Sequence, residues 1–479
     1  MFLGIDLGTS GVKALLMDGD QRVVGSTSAP LGVSRPKPGW SEQDPSDWIA
    51  ACEAALSGLA GEHDLGAVQG IGLSGQMHGA TLLDKCDQVL RPAILWNDTR
   101  AHVEAAELDQ HPAFRALTGN IVFPGFTAPK LVWVRTHESD LFDKVAKVLL
   151  PKDYLRLWLT GEHVSEMSDA AGTSWLDTGA RAWSDELLAA TGLSHSHMPR
   201  LVEGSEVSGG VRADIAGRFG LKPGIPVAGG AGDNAASAVG VGVARLGEAF
   251  VSLGTSGVLF AANDGYAPNA DTALHTFCHA LPGRWHQMGV ILAASDALSW
   301  FANLVDATPE ALTGDLGPLQ APGRAMFLPY LGGERTPHND ARIRGAMIGL
   351  EHVTDRAAAT RAVLEGVAFA FADSQAAMSA TGTELTRVLA VGGGARSDYW
   401  LAAIATVLGL PLAVPRDGEF GAAFGAARLG MMAAGQGGPE IATPPEIARE
   451  VEPNAALGGA FRDAYQRYKE TYSALKDLS

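Results

Sequence analysis

Apolar positions along the chain fall into short runs that end in glycine-rich polar turns. Such runs occupy 1–5, 68–73, 225–228 and 387–391, and the turns after them are rich in Gly, Ser, Thr and Asp. Runs of this length are typical of buried strands, whereas spacings of three and four residues indicate helices. Those spacings predict helices over 48–59, 138–148, 184–191, 291–304, 355–378, 418–432 and 461–478. The segment 435–454 is rich in Pro, Gly and Glu, which indicates a loose surface segment. Because strands alternate with helices, we expect an α/β fold.

One hexapeptide occurs twice. The string LGTSGV fills 7–12 and again 253–258, and each copy follows a short apolar run. A repeat at half the chain length predicts two similar lobes rather than a solenoid. We place the lobes at 1–244 and 245–479, with their boundary between 241 and 248. A Gly-Thr-Ser turn after a strand offers backbone N–H groups and hydroxyls to a phosphate, so two facing copies predict a nucleotide held in a cleft between the lobes.

Composition narrows the class of protein. The chain has 479 residues, 46% hydrophobic and 19% charged, with a net charge of -17 and no run of Lys or Arg. We therefore expect no partnership with nucleic acid or an anionic membrane. The three cysteines are isolated and no apolar stretch reaches the roughly 18 residues of a membrane span. Asp6 interrupts the first apolar run, so no signal peptide is expected and the cytoplasm is the expected location.

Two acidic residues stand at strand ends next to glycine. Asp6 directly precedes the first Gly-Thr-Ser turn, and Lys13 lies just beyond that turn. Asp233 follows a strand and opens a small-residue helix with Asn234. Asp6 is either a metal-directed acid or the cap of its turn, and Asp233 is either a cleft residue or a helix N-cap. The second repeat has Ser252 where the first has Asp6, so only one lobe would supply the metal-directed acid.

Other clusters carry binding chemistry. Gly393 and Gly394 lie in a three-glycine turn before a helix, which allows a flat ligand to approach the backbone or the helix to pack tightly. Gln76, Met77 and His78 are followed by Trp96 and Asp98, a polar and aromatic mixture that suits a polyhydroxylated ligand, although a lone histidine is more often structural. The segment 327–338 is dense in polar loop residues, to which we assign only a part in shaping the lobe interface. A P-loop is excluded, and the single GxGxxG, at 70–75, begins inside a strand, which is poor context for dinucleotide binding.

Taken in order, the motifs at 6–10, 232–234, 253–256 and 392–395 resemble those of the FGGY carbohydrate kinases, which belong to the actin-like superfamily. Segment 125–133 looks like the family's first signature, and the similarity runs from Met1 to about 429. Within the family, the strings GWSEQDP, GQMHG, ILWND and LPKDY at 39–45, 75–79, 94–98 and 150–154 resemble members that act on D-xylulose. The chain departs from the pattern at Ala358 and Ala359, and at Asp398, where the family usually has Asn.

The resemblance implies two actin-like (ribonuclease H-like) lobes that transfer a phosphoryl group from ATP, with Mg²⁺, to O5 of D-xylulose. It implies Asp233 as general base and Asp6 as the residue that positions Mg²⁺. It assigns the phosphates to Thr9, Ser10, Lys13 and Thr255, the nucleotide to Gly393, Gly394 and Asp398, and the sugar to Gln76, Met77, His78, Trp96, Asp98 and Asn234. Another ketose or polyol, or a non-catalytic actin-like role, stays open, as does a homodimer.

Overall fold

The computed structural model describes residues 1–314, 316–416, 418 and 420–478. The strands up to residue 244 are β1 (Phe2–Leu7), β2 (Gly11–Met17), β3 (Val23–Pro30), β4 (Glu42–Gln43), β5 (Gly70–Gly75), β6 (Thr81–Leu83), β7 (Ala93–Ile94), β8 (Lys147–Leu149), β9 (Val164–Glu166), β10 (Leu176–Asp177), β11 (Ala182–Trp183), β12 (Arg200–Val202), β13 (Val207–Gly210), β14 (Pro226–Ala228) and β15 (Ala231–Gly232). The helices of this part are α1 (Pro45–Glu62), α2 (His102–Asp109), α3 (Pro112–Thr118), α4 (Thr127–His137), α5 (Ser139–Phe142), α6 (Pro151–Thr160), α7 (Met167–Ala170), α8 (Asp185–Ala190), α9 (Ala213–Phe219) and α10 (Asp233–Val241).

The rest of the chain repeats the alternation of strands and helices. Its strands are β16 (Glu248–Leu253), β17 (Gly257–Asn263), β18 (His275–Cys278), β19 (Trp285–Ile291), β20 (Met326–Leu328), β21 (Ala346–Ile348), β22 (Arg387–Val391), β23 (Leu412–Pro415) and β24 (Ile447–Val451). Its helices are α11 (Ser295–Leu304), α12 (Pro309–Gly314), α13 (Arg356–Ser379), α14 (Asp398–Leu408), α15 (Ala422–Ala433) and α16 (Gly458–Leu475).

Two large sheets have the same central arrangement. The first has the order β13-β14-β5-β1-β2-β3, and the second has the order β18-β19-β17-β16-β22-β23-β24. In each, the strand before the Gly-Thr-Ser turn pairs antiparallel with the strand after it and parallel with a later strand, β5 or β22. The predicted α/β class and the pair of similar folding units are therefore confirmed, and the two turns come at the same point of the two sheets.

The two copies of the hexapeptide differ in strand register. Leu7 pairs with Val12 across the first turn, whereas Leu253 pairs with Gly257 across the second. The first turn is closed by a hydrogen bond from Gly8 N to Gly11 O, 2.9 Å long. Because a one-residue slip changes which side chains face each other, identical sequence gives two non-identical loops.

Helix α15 comes late in the chain yet packs on β1 and β5 of the first sheet. This contact depends on residues without side chains. A Cβ atom on Gly4 would clash with the carbonyl oxygen of Ala423, and one on Gly72 with that of Ala426. Glycine therefore lets the helix backbone lie directly on the strands, and α15 also packs against α10, which begins at the cleft.

Several predicted elements differ from the structure. The helix expected over 138–148 is only the short α5, and the last two residues of this range begin strand β8, which pairs with β6. The helix expected over 291–304 begins at Ser295, since Ile291 ends β19. The segment 435–454 contains β24, which pairs with β23 at the edge of the second sheet. Within the described ranges, none of the helices is both long and apolar enough to span a bilayer.

Candidate active site

Asp233 lies in the cleft at the first residue of α10, directly after β15. The short β15 pairs with the end of β5, whose other edge pairs with the end of β1, so the ends of these three strands lie at the same edge of the sheet. One carboxylate oxygen, Oδ1, accepts hydrogen bonds from Asn234 N (2.7 Å) and Asn234 Nδ2 (3.0 Å). Burial, and then the negative charge of Asp6, raise the pKa of Asp233 to about 6. The side chain is half-buried, so a carboxylate suited to accept a proton near neutral pH is open to the cleft.

Asp6 is the second acidic group of the cleft. It pairs with Lys13 on β2 and lies beside Ser74 on β5. Its Oδ1 atom is buried and has no hydrogen-bond partner among the described residues. Burial raises the pKa of Asp6, while Ser74 and the charge of Lys13 act in the opposite direction. A buried carboxylate oxygen without a donor is costly unless a cation meets it, so the site fits Mg²⁺, which typically takes one or two carboxylates plus phosphates and waters.

The first phosphate loop is held by the Thr9 side chain. Its hydroxyl donates to Gln76 Oε1 (2.9 Å) and accepts from Trp96 Nε1 (3.0 Å). Gln43 Nε2 donates to the Thr9 carbonyl (2.8 Å), and Gln76 Nε2 donates to Gln43 Oε1 (2.8 Å). Gln76 is 2% exposed. Both ends of its amide are used, because Oε1 accepts from Thr9 and Nε2 donates to Gln43. Ser10, by contrast, is exposed at the tip of the turn, so the loop presents its hydroxyl and backbone outward.

The second phosphate loop is exposed at Thr255 and is supported from behind. The carbonyl of Thr255 accepts from Ala294 N (2.9 Å) and Asp296 N (3.2 Å), and that of Gly254 accepts from Ser295 N (2.9 Å). These donors lie at the beginning of α11, so the loop leans on a helix N-terminus. The two Gly-Thr-Ser turns are thus both ordered by contacts outside the repeated sequence.

Met77 and His78 lie at the predicted sugar side of the cleft. Met77 packs against Gly232, where a Cβ atom would lie 2.9 Å from Met77 Cγ. His78 Nδ1 lies 2.7 Å from the carbonyl of Gly172, and its ring stacks on Phe126 with centroids 4.5 Å apart. Burial lowers the pKa of His78 to about 3, so the ring is neutral. Because Nδ1 must donate to that carbonyl, Nε2 carries a lone pair that can accept a hydrogen bond from a hydroxyl group.

Trp96 and Asp98 follow the same loop but differ in surroundings. Trp96 is 48% exposed and its indole N–H holds Thr9, so its ring borders the cleft. Asp98 is 2% exposed, and its carboxylate accepts from Ser41 N (2.6 Å) and from Arg100 N, Nε and Nη2 (2.9, 2.9 and 2.7 Å). The sequence assigned Asp98 to the sugar; the structure corrects this, because protein donors occupy both of its oxygens.

A cavity of about 390 Å³ lies between α10 and the second sheet. Its walls carry Asn234, Ser237 and Val241 from α10, and Ser252, Gly392, Gly393 and Arg396 with further residues from the other side. Both halves of the chain therefore line it, and its volume lies in the range of small-ligand pockets. No cluster of three or more His, Cys, Asp or Glu side chains with metal-binding geometry occurs in the described chain, so a cation here depends on phosphate and water ligands as well.

The three residues predicted to hold the nucleotide lie in different environments. Gly393 lines the cavity, and a Cβ atom there would meet nothing within 4 Å. A Cβ atom on Gly394 would lie 2.8 Å from both Leu253 Cβ and Trp400 Cζ3, so Gly394 serves packing. Asp398 is outside this cavity and forms an ion pair with Arg449 (2.8 Å). Of these three residues, Gly393 alone lines this cavity, and their assignment to the nucleotide stays a prediction.

Three comparisons with known proteins bear on this cleft. The family descriptions "FGGY family of carbohydrate kinases, N-terminal domain" and "C-terminal domain" match residues 1–240 and 249–434. The chain is 46% identical to a xylulose kinase of Escherichia coli K12 over all of both chains, and 50% identical to one of Klebsiella pneumoniae over 90% of each. A crystal structure described as a xyloylose kinase from Brucella ovis superposes with a TM-score of 0.99 at 63% identity, covering 100% of both chains.

These matches agree with the arrangement of the cleft. The two matched domains contain the two sheets with their Gly-Thr-Ser turns, and the first ends within α10, the helix that starts at Asp233. The likeness covers the whole chain, so it includes every residue that faces the cleft. This chain belongs to the FGGY family of carbohydrate kinases, with its actin-like, two-lobed fold.

Proposed function

We propose that this protein phosphorylates D-xylulose at O5 with ATP, giving D-xylulose 5-phosphate. The observation that carries the proposal is a half-buried Asp233, with a pKa near 6, beside Asp6 and between two phosphate loops. The relatives named xylulose kinase, at 46% and 50% identity, support this sugar over other members' substrates. Phosphoryl transfer needs positioning and charge neutralisation more than covalent chemistry, and the cleft provides both.

In the proposed mechanism, Asp233 accepts the proton of the sugar's terminal hydroxyl as that oxygen attacks the γ-phosphorus, and the bond from the γ-phosphorus to the β–γ bridging oxygen breaks to release ADP. The backbone of Thr9 and the backbone and hydroxyls of Ser10 and Thr255 hold the phosphates from both sides, with Lys13 adding positive charge. Mg²⁺, when bound, neutralises charge on the phosphates, and Asp6 would hold it. His78 Nε2 accepts from a sugar hydroxyl, and Asn234 keeps the Asp233 carboxylate oriented through its two hydrogen bonds.

The nucleotide occupies the 390 Å³ cavity in this proposal, with Gly393 next to it. The lobes 1–244 and 245–479 close over both substrates, which excludes water as a competing acceptor. We keep this boundary as a proposal, together with a cytoplasmic location and a homodimer. Light scattering of the purified protein tests the dimer, and small-angle scattering with and without both ligands tests the closure.

The activity is tested by measuring ADP release against a panel of pentuloses, hexuloses, pentitols and glycerol. We expect D-xylulose to give the highest kcat/KM, and Asp233→Asn to lower kcat by about 10²- to 10⁴-fold while ATP still binds. The exposed Asp140→Asn is the matched control, since it makes the same change away from the cleft. A different preferred sugar would reassign the substrate, and an Asp233→Asn enzyme within about tenfold of the parent would remove Asp233 from the role of base.

A further inference from the structure

Arg335 is a cationic residue without a carboxylate partner, in a loop to which the sequence assigned no specific role. Its guanidinium lies over the ring of Phe123, 4.6 Å from the centroid. Nη1 is 3.4 Å from Nε2 of His275, and no ion pair joins Arg335 to an acid in the described part of the chain. Burial lowers the pKa of this guanidinium, yet an arginine stays charged. A desolvated cation with unused donors is unfavourable unless a ligand meets it.

The loop around Arg335 is held firmly by its neighbours. Glu334 Oε1 accepts from Leu292 N (3.0 Å) and from the backbone N of Arg335 (2.7 Å). Thr336 N donates to the carbonyl of Val290 (3.2 Å), and the Thr336 hydroxyl accepts from Val290 N (3.1 Å) and donates to the carbonyl of Ala273 (3.1 Å). The neighbouring Glu334 carboxylate is thus used by backbone N–H groups rather than by the guanidinium, and the side chain of Arg335 is presented from a fixed backbone.

An aromatic wall connects Arg335 with the sugar side of the cleft. Phe123 packs edge-on against Phe126 with centroids 5.5 Å apart, and Phe126 stacks on His78 at 4.5 Å. His275 closes the wall from the second sheet, 5.3 Å from Phe123. Arg335 and His78 therefore lie at two positions along one wall, close enough for the charge of Arg335 to affect the histidine.

The order of groups along this wall assigns Arg335 an end of the sugar. Met77 packs against Gly232, the residue before Asp233, and His78 follows Met77. From the base, the order of groups is thus Met77 and His78, then the rings of Phe126 and Phe123, and then Arg335 over Phe123. A pentulose with its O5 at Asp233 would extend toward Arg335 with C1 and C2, where its keto group lies.

We propose that Arg335 donates a hydrogen bond to the 2-keto oxygen of the substrate and so selects ketoses over polyols. A carbonyl oxygen only accepts hydrogen bonds and a guanidinium only donates them, whereas a hydroxyl in the same place brings its own proton. Selection by a charged donor is also strong, because losing such a bond leaves a buried cation unpaired. This inference rests on the proposed ketose kinase activity and adds the residue that recognises the carbonyl.

The experiment compares kcat/KM for D-xylulose with the inhibition constants of xylitol and D-arabinitol, which differ from it by reduction of C2. In Arg335→Met we expect kcat/KM for D-xylulose to fall about 10- to 100-fold, with both inhibition constants and the KM for ATP nearly unchanged. Arg335→Lys keeps the charge but not the planar guanidinium group, so its kcat/KM for D-xylulose should lie between those of the parent enzyme and of Arg335→Met. The exposed Arg342→Met on the same loop is the matched control.

Two outcomes would overturn the inference. An unchanged ratio between D-xylulose and the pentitols would show that Arg335 does not recognise C2, and an equal loss for all three sugars would give it a role in holding the lobes instead. Should Arg335→Met fold poorly in thermal unfolding, the ratio in Arg335→Lys decides. If the parent enzyme phosphorylates no ketose, the proposed function itself is wrong, a failure that is visible before any variant is made.

Discussion

Replacing Lys152 by Met tests how a buried ion-pair network supports the backbone next to Asp233. Lys152 Nζ contacts three carboxylates, Asp153 Oδ1 (2.8 Å), Asp169 Oδ2 (2.9 Å) and Glu166 Oε1 (3.3 Å), and all four side chains are fully buried. Methionine has similar length but no charge, so the three acids would keep only Arg156 as a neighbouring cation, 3.6 Å from Asp153. Removing one partner of a buried ion pair typically costs about 3–5 kcal/mol. We expect the free energy of unfolding to fall by about that amount.

The same network reaches the active site through the backbone. The Glu166 carboxylate accepts from the backbone N of Ser168 and Asp169 (2.7 and 2.9 Å), which caps α7. Ser168 Oγ then accepts from the backbone N of Gly232 (3.1 Å), the residue before Asp233. Loosening this contact would displace the base by a fraction of an ångström, so kcat should fall more than the KM for ATP rises.

Urea unfolding followed by circular dichroism measures the stability change, with Lys85→Met as control. Lys85 is exposed on the first half of the chain, and such surface changes usually stay within about 0.5 kcal/mol. Adding Asp169→Asn to Lys152→Met removes one of the uncompensated acids, so it should restore part of the loss. A loss below about 1 kcal/mol in the single variant, or no recovery in the double, would refute the reasoning that Lys152 compensates these acids.

Three further predictions follow from the cleft. Since Asp233 must be deprotonated to act as base and its pKa is about 6, kcat/KM for the sugar should fall roughly tenfold per pH unit below that value; a flat profile between about pH 5 and 7 would contradict this role. Asp6→Asn should raise the Mg²⁺ concentration needed for half-maximal rate, and an unchanged Mg²⁺ titration would make Asp6 a turn residue only. Gly394→Ala should lower the thermal midpoint by forcing its methyl group against Leu253, whereas Gly393→Ala should leave the midpoint unchanged and affect the KM for ATP; equal midpoints would argue against the packing role.

The fold was predictable where the sequence pattern has one interpretation. A short, mainly apolar run that ends at a glycine-rich turn is typical of a buried strand, which is why β1 and β22 were predicted. The segment 138–148 was wrongly predicted because Val145 and Val148 fit a helical spacing as well as they fit a strand. Val148 lies in β8, whose strand conformation comes from pairing with β6, more than 60 residues earlier, and a local pattern does not contain that partner.

The site was predictable from motifs, but the direction of single side chains was not. Asp98 has the residue type of a sugar ligand, and only the fold shows that Arg100 and the backbone of Ser41 take its oxygens. Asp398 lies outside the 390 Å³ cavity and pairs with Arg449. Arg449 comes from β24, a strand that was not predicted from the sequence. Gln43, which holds the first phosphate loop, was missed as a functional residue although it lies within the GWSEQDP string. Long-range partners therefore decide which member of a motif meets a ligand.

The two copies of the repeated hexapeptide differ in the residue that directly precedes them, Asp6 or Ser252. The residue before the first copy is Asp6, which pairs with Lys13. The corresponding residue before the second copy is Ser252, which pairs with Val258. Ser252 lines the cavity beside α10, where a carboxylate would repel the phosphates of a nucleotide. Asp6 instead faces Asp233, where its charge raises the pKa of the base and its unpartnered oxygen suits a cation. In the proposed mechanism, the difference at this one position gives the two copies different tasks, because Asp6 would hold a cation and Ser252 would leave room for the nucleotide.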